Sequence, residues 1–112
     1  MDDDDAPFTL EHSERDGLTL LALGGDLDLA ASPALEEALE AVSDSERRVV
    51  LDLRGLRFMD STGLALILRY HQRAEAQGFD LVVVRGVEDV DRVFRVTGTD
   101  AKLELLDVPP AA

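Results

Sequence analysis

Three patterns of apolar positions succeed one another along the chain, and each predicts a different element. Phe8–His12 and Leu18–Leu23 alternate or cluster as short strands do, with Arg15-Asp16-Gly17 supplying a turn between them. Gly24-Gly25 breaks the second strand, and Asp26-Leu27-Asp28-Leu29 then alternates as a separate half-buried extended segment. Leu35, Ala38, Leu39 and Val42 recur at helical spacing, after Ser32 as N-cap and Pro33 as the first helical residue, with Glu36, Glu37 and Glu40 on the outer side. Arg48–Leu53 is a short apolar run of the kind covered on both faces. A second helix runs from just after Asp60 to about Gln77, closed by Gly78; its stripe is Leu64, Ile67, Leu68 and His71, with Leu66 and Tyr70 beside it. Leu81–Val84 forms another buried strand. Val87, Val90, Val93 and Phe94 mark a third helix ending near Gly98, and Leu103, Leu105 and Leu106 a last strand before Pro109-Pro110.

Strands alternating with helices predict an α/β domain, whose sites tend to lie in loops beyond the carboxyl ends of parallel strands. Asp60-Ser61 occupies such a loop. Length then sets the domain count: 112 residues make one core. Residues 8–107 carry the pattern, 1–7 form an acidic disordered tail and 108–112 a C-terminal tail. The formal net charge of −13 argues against nucleic acid and for a partner with a basic docking face. The absence of cysteine excludes disulfides and thiolate chemistry, and no apolar run is long enough to span a membrane. With Met1-Asp2-Asp3-Asp4-Asp5 the opposite of a signal peptide, a cytoplasmic protein is expected.

The candidate chemistry lies in Phe58-Met59-Asp60-Ser61-Thr62-Gly63-Leu64. Ser61 stands at a helix start, where unpaired N–H groups and the helix dipole favour an added phosphate. Phosphorylation would bring about two negative charges beside Asp60 and Asp28. The plainer role for Ser61 is helix capping, and for Asp28 a turn or capping carboxylate; Asp26 is the more structural of the two. Asp26, Asp28 and Asp60 could in principle hold magnesium, but no metal or other cofactor is expected. There is no phosphate-binding glycine loop, no nucleophile elbow and no evident triad, so an enzyme is not expected; His12 and His71 read as ordinary structural or surface residues.

Gly25-Asp26-Leu27-Asp28, Val49-Val50-Leu51-Asp52-Leu53 and Phe58–Leu64, in this order, resemble the STAS domain of bacterial anti-sigma-factor antagonists, as does the Phe94–Gly98 helix end. The resemblance covers residues 8 to 107. It implies a mixed, mainly parallel sheet of four to five strands with about three helices. It also implies partner switching: the unphosphorylated protein binds an anti-sigma factor with a GHKL-type serine kinase domain and frees the sigma factor. Phosphorylation ends the binding, and a PP2C-type phosphatase restores it. The family's phosphorylated serine maps onto Ser61, with Thr62 the second choice, and its partner surface onto Asp26, Asp28, Asp60, Ser61, Thr62, Gly63 and Leu64. A monomer or weak dimer is implied. The alternative is a constitutive adaptor in a stress-signalling or transport-ATPase complex. Two positions depart from the family: Ala65, where a still smaller residue is usual, and Asp107–Ala112, which cannot supply the usual C-terminal helix.

Overall fold

The computed structural model describes residues 6–43 and 48–110; the acidic run Asp2–Asp5 lies outside them. The elements are β1 (Thr9–Arg15), β2 (Leu18–Leu27), α1 (Ser32–Val42), β3 (Arg48–Met59), α2 (Ser61–Gln77), β4 (Leu81–Val84), α3 (Glu88–Thr97), a 3₁₀ turn (Thr99–Ala101) and β5 (Leu105–Leu106). They form the expected α/β arrangement, with one five-stranded sheet in the order β1-β2-β3-β4-β5. β1 and β2 are antiparallel, joined across Asp16 and Gly17, whose positive φ angles (48° and 83°) give the two-residue turn that suits strand twist. The other three pairings are parallel.

Each parallel pair is bridged by one helix. Because such crossovers are right-handed and each steps the same way across the sheet, all three helices fall on one face. There Leu35 and Leu39 of α1, Ile67 and Tyr70 of α2, and Val90 and Phe94 of α3 pack on Leu21, Leu23, Val49, Leu51, Leu53 and Val83. Val50, Val82 and Val84 face the other way and form a second, smaller core with Leu18, Leu20 and Leu106.

Several elements differ from the expectation. β1 extends to Arg15 rather than ending at His12, and β3 runs to Met59 rather than Leu53. Gly24-Gly25 does not break β2, because the ladder continues through two register shifts, between Ala22 and Gly24 and between Gly25 and Asp26. β3 thereby spends twelve residues against ten of β2, the signature of bulges. Gly25 has φ 76°, and a Cβ there would stand 2.0 Å from the Pro7 carbonyl oxygen, so only glycine fits. Ala6 is held at the same place, its carbonyl accepting from the Asp26 N–H at 3.1 Å. The extended segment Asp26–Leu29 is not separate. It merges into β2 as far as Leu27, and Leu29 is exposed.

The start of α1 is also shifted. Ala31 is the N-cap and Ser32 the first helical residue, since the carboxylate and carbonyl of Asp28, not the Ser32 hydroxyl, take the early N–H groups. α2 has the expected bounds and closes at Gly78 with φ 84°. Its buried face is Gly63, Leu64, Leu66, Ile67, Tyr70 and Ala74; His71 sits at the margin, 3.9 Å from Glu75. The last strand is shorter than expected, with the 3₁₀ turn occupying part of the connection.

Candidate functional site

β2 and β3 end side by side, Leu27 opposite Met59, and the chain leaves both toward helices. The Asp60 N–H donates to the Leu27 carbonyl at 3.2 Å, which ties the two exits together. Asp28-Leu29 and Asp60-Ser61 are therefore neighbouring loop tips at the carboxyl end of the sheet, where a parallel sheet places its sites.

Asp60 is the N-cap of α2. Its backbone is extended and its Oδ1 accepts from the N–H of Thr62 at 2.9 Å and of Gly63 at 3.3 Å. The capping need of the helix is met there. Ser61 follows as the first helical residue, exposed, and its hydroxyl has no hydrogen-bond partner among the described residues. Thr62 is half-buried. Gly63 is required by packing: a Cβ would stand 2.8 Å and 2.9 Å from Cγ and Cδ2 of Leu27 and 3.0 Å from Cγ of Met59. The first turn of α2 thus rests directly on the paired strand ends, and this close seat fixes where Ser61 projects.

The other expected partner residues fall into three groups. Asp28 is half-buried and its Oδ1 accepts from the Ala31 N–H at 3.0 Å, so it caps the α1 turn while standing beside the Ser61 loop. Asp26 is engaged by Arg57, with Nε to Oδ1 at 3.2 Å and Nη2 to Oδ2 at 3.0 Å. This paired guanidinium holds its carboxyl below the usual range. The pair braces the strand ends. Gly63 and Leu64 face inward, Leu64 into the main core, and offer a partner little surface.

Two exposed apolar residues that sequence reasoning did not single out flank the loops. Leu29 is 71% and Phe58 48% exposed, one beside Asp28 and the other three residues before Ser61. Phe58 lines an open groove of about 510 Å³ with Met59, Val93 and Val96. Their exposure was not legible in the sequence, because it depends on how β2 and β3 run on to Leu27 and Met59 before the chain turns away.

Neither histidine can serve Ser61 as a base. His71 lies ten residues along α2, roughly 15 Å by helical rise. His12 pairs with Leu21, six residues and about 20 Å along β2 from the Leu27–Met59 end. The three aspartates do not converge as metal ligands either, since Asp26 is committed to Arg57, Asp28 to the turn before α1 and Asp60 to the start of α2. Among the described residues no group of three or more His, Cys, Asp or Glu is placed to hold a metal ion, and no helix is long and apolar enough to cross a membrane.

An exposed hydroxyl beside an aspartate cap, on a helix seated across two parallel strand ends through a glycine, is the arrangement around which the family comparison falls. The model of the STAS domain matches residues 9–109. The chain belongs to the STAS domain family. Among curated relatives, the anti-sigma-F factor antagonist RsfB of Mycobacterium tuberculosis is 30% identical over 101 residues, covering 82% of this chain and 83% of that one. The anti-sigma-B factor antagonist of Staphylococcus aureus is 29% identical over 92 residues, covering 81% and 85%. Among solved structures, an anti-sigma factor antagonist from Mycobacterium paratuberculosis superposes with a TM-score of 0.84 at 25% identity, covering 91% of this chain and 87% of its own.

Proposed function

We infer that this STAS domain is an anti-sigma-factor antagonist whose grip on its partner is set by phosphorylation of Ser61. The observation that carries the reading is the division of labour at the start of α2. Asp60 caps the helix, so the exposed Ser61 hydroxyl has no structural duty and is open to a kinase. The curated relatives, antagonists of anti-sigma factors matched over most of their length, support the antagonist role. The partner is an anti-sigma factor bearing a GHKL-type serine kinase domain, and a PP2C-type phosphatase returns the protein to its binding form. The exchange takes place in the cytoplasm, and the antagonist works there as a binding protein rather than an enzyme.

The physics of the switch follows from the neighbours. Asp28, Leu29, Phe58 and Ser61 present a mixed apolar and acidic face with a neutral hydroxyl in its midst. A partner that buries this face must desolvate whatever Ser61 carries. A phosphate adds about two charges beside Asp60 and Asp28, and breaking a buried polar contact in this way costs ~2–5 kcal/mol. The phosphate itself stays compatible with the fold, because the dipole at the α2 N-terminus favours it.

Immobilised wild-type protein and Ser61→Asp, incubated in parallel with lysate of the native host, test the reading. A GHKL-type kinase retained by wild type and lost by the aspartate form is the expected result. Equal recovery of one assembly by both forms, with Ser61 unmodified in cells, would instead assign a constitutive adaptor.

A further inference from the structure

The three crossover helices all lie on one face of the sheet, yet Val50, Val82 and Val84 on the other face are each at most 1% exposed. What covers them follows from the two ends of the last segment. Leu106 pairs with Val84 at the β5 edge. Pro109 and Pro110 lie against Ser13, Arg15, Leu18 and Leu20 of β1 and β2, around a void of only about 40 Å³. From β5 to β2 there are three strand spacings, about 14 Å. Four extended residues span about 13 Å. Leu106 is level with Val84, Asp52 and Ala22 while the prolines lie at Leu18 and Leu20, so residues 107–110 cross β4 and β3 obliquely, toward the start of β2. Proline suits such a crossing. It has no N–H to satisfy over a sheet whose own hydrogen bonds lie in plane, and it holds itself and the residue before it extended.

The attachments of this segment are few. β5 contributes two paired residues, and the Leu106 carbonyl accepts from the Arg85 N–H at 2.8 Å. Asp107 meets Arg85 Nε at 3.3 Å, but its side chain is 90% exposed, so the pair adds little. Val108 points largely into solvent. The main core, by contrast, is interlocked by three helices.

We propose that residues 105–110 are a releasable strap: they close the second core, and they lift from the sheet as a unit while the helix-covered core stays folded. Release uncovers a continuous apolar strip made of Leu18, Leu20, Val50, Val82 and Val84. Such local opening belongs to the low-stability end of a domain, where few apolar contacts and few ladder bonds hold a segment.

Two measurements on the full chain test this. In wild type, hydrogen exchange at the Arg85 amide, which reports the β5 attachment, should run at least 100-fold faster than at Val50 or Leu51 and be insensitive to low urea. In the double variant Pro109→Gly, Pro110→Gly, methyl relaxation by a soluble gadolinium chelate should rise at least threefold at Val50, Val82 and Val84. It should stay unchanged at Val49, Leu51 and Val83, with helical circular dichroism retained. Unchanged relaxation at Val50, Val82 and Val84 would show that the strap is not their cover. Loss of protection at all six together, or Arg85 exchanging only with global unfolding, would show one cooperative core and overturn the proposal.

Discussion

At Asp60 a carboxylate takes the N–H groups of Thr62 and Gly63, and the neighbouring hydroxyl is left to solvent. Asp60→Ala should therefore lower stability by about 1 kcal/mol, read as a urea midpoint, while Asp60→Asn loses only part of it. Ser61→Asp should behave oppositely: a negative charge in the first turn of α2 gains ~0.3–1 kcal/mol from the helix dipole. Loss of partner binding by that variant would then reflect charge and not unfolding, and a thermal melt separates the two. Gly63→Ala improves helix propensity but drives a Cβ into Leu27 and Met59. The clash wins, with ~1–3 kcal/mol lost on overpacking. Thr19 presents the reverse case. It is fully buried on β2 and its Oγ1 has no partner among the described residues. Thr19→Val keeps the shape and removes an unmet hydroxyl, so the unfolding midpoint should rise, by about 1 kcal/mol.

The α1 and α2 helices meet through a polar clamp laid over their apolar contact. Glu40 of α1 accepts from Arg73 at 2.7 Å and 2.9 Å and from the Tyr70 hydroxyl, and Arg69 pairs with Glu36. Arg73 and then Tyr70 bring the Glu40 carboxyl down to about 2 from an ordinary value near 4.5. A depressed carboxylate stabilises the fold above its unfolded-state pKa, and that contribution fades as pH falls from about 4.5 toward about 2. Glu40→Gln should accordingly melt lower than wild type at pH 7, with the gap closing toward pH 2 in a series of thermal melts. The helices were legible in the sequence because their apolar residues repeat at a strict period and their ends carry distinct residues, Gly78 and Gly98 among them. The ends of β2 and β3 were not. Gly24 and Gly25 look like breaks, but here they permit bulges that let the ladder continue to Leu27 and Met59. The shift of the α1 cap from Ser32 to the Asp28 turn was equally hidden, because both residue types accept helix N–H groups and only the fold decides between them.

For the molecule as a whole, the sheet brings the Asp28 and Asp60 loops together at one end and leaves the strap-covered face and the rest of the surface free of that role. Order along the chain was enough to assign the family and to place Ser61 at the start of α2, since strand, Asp-Ser-Thr-Gly and helix are local signals. The residues flanking it in space, Leu29 and Phe58, needed the strand pairing to appear. The net charge of −13 adds a long-range contribution, so association with the proposed partner, expected to carry a basic docking face, should slow as salt is raised, while dissociation changes little. Stopped-flow measurements at two ionic strengths read this directly. The central claim is that the charge state of Ser61 decides binding. The most direct measurement is titration calorimetry of the purified anti-sigma kinase against wild-type protein before and after stoichiometric phosphorylation, with the site verified by mass spectrometry. The account predicts modification at Ser61 and at least a roughly hundredfold weaker complex, equivalent to ~3 kcal/mol. Equal affinity of the bare and phosphorylated forms would contradict it.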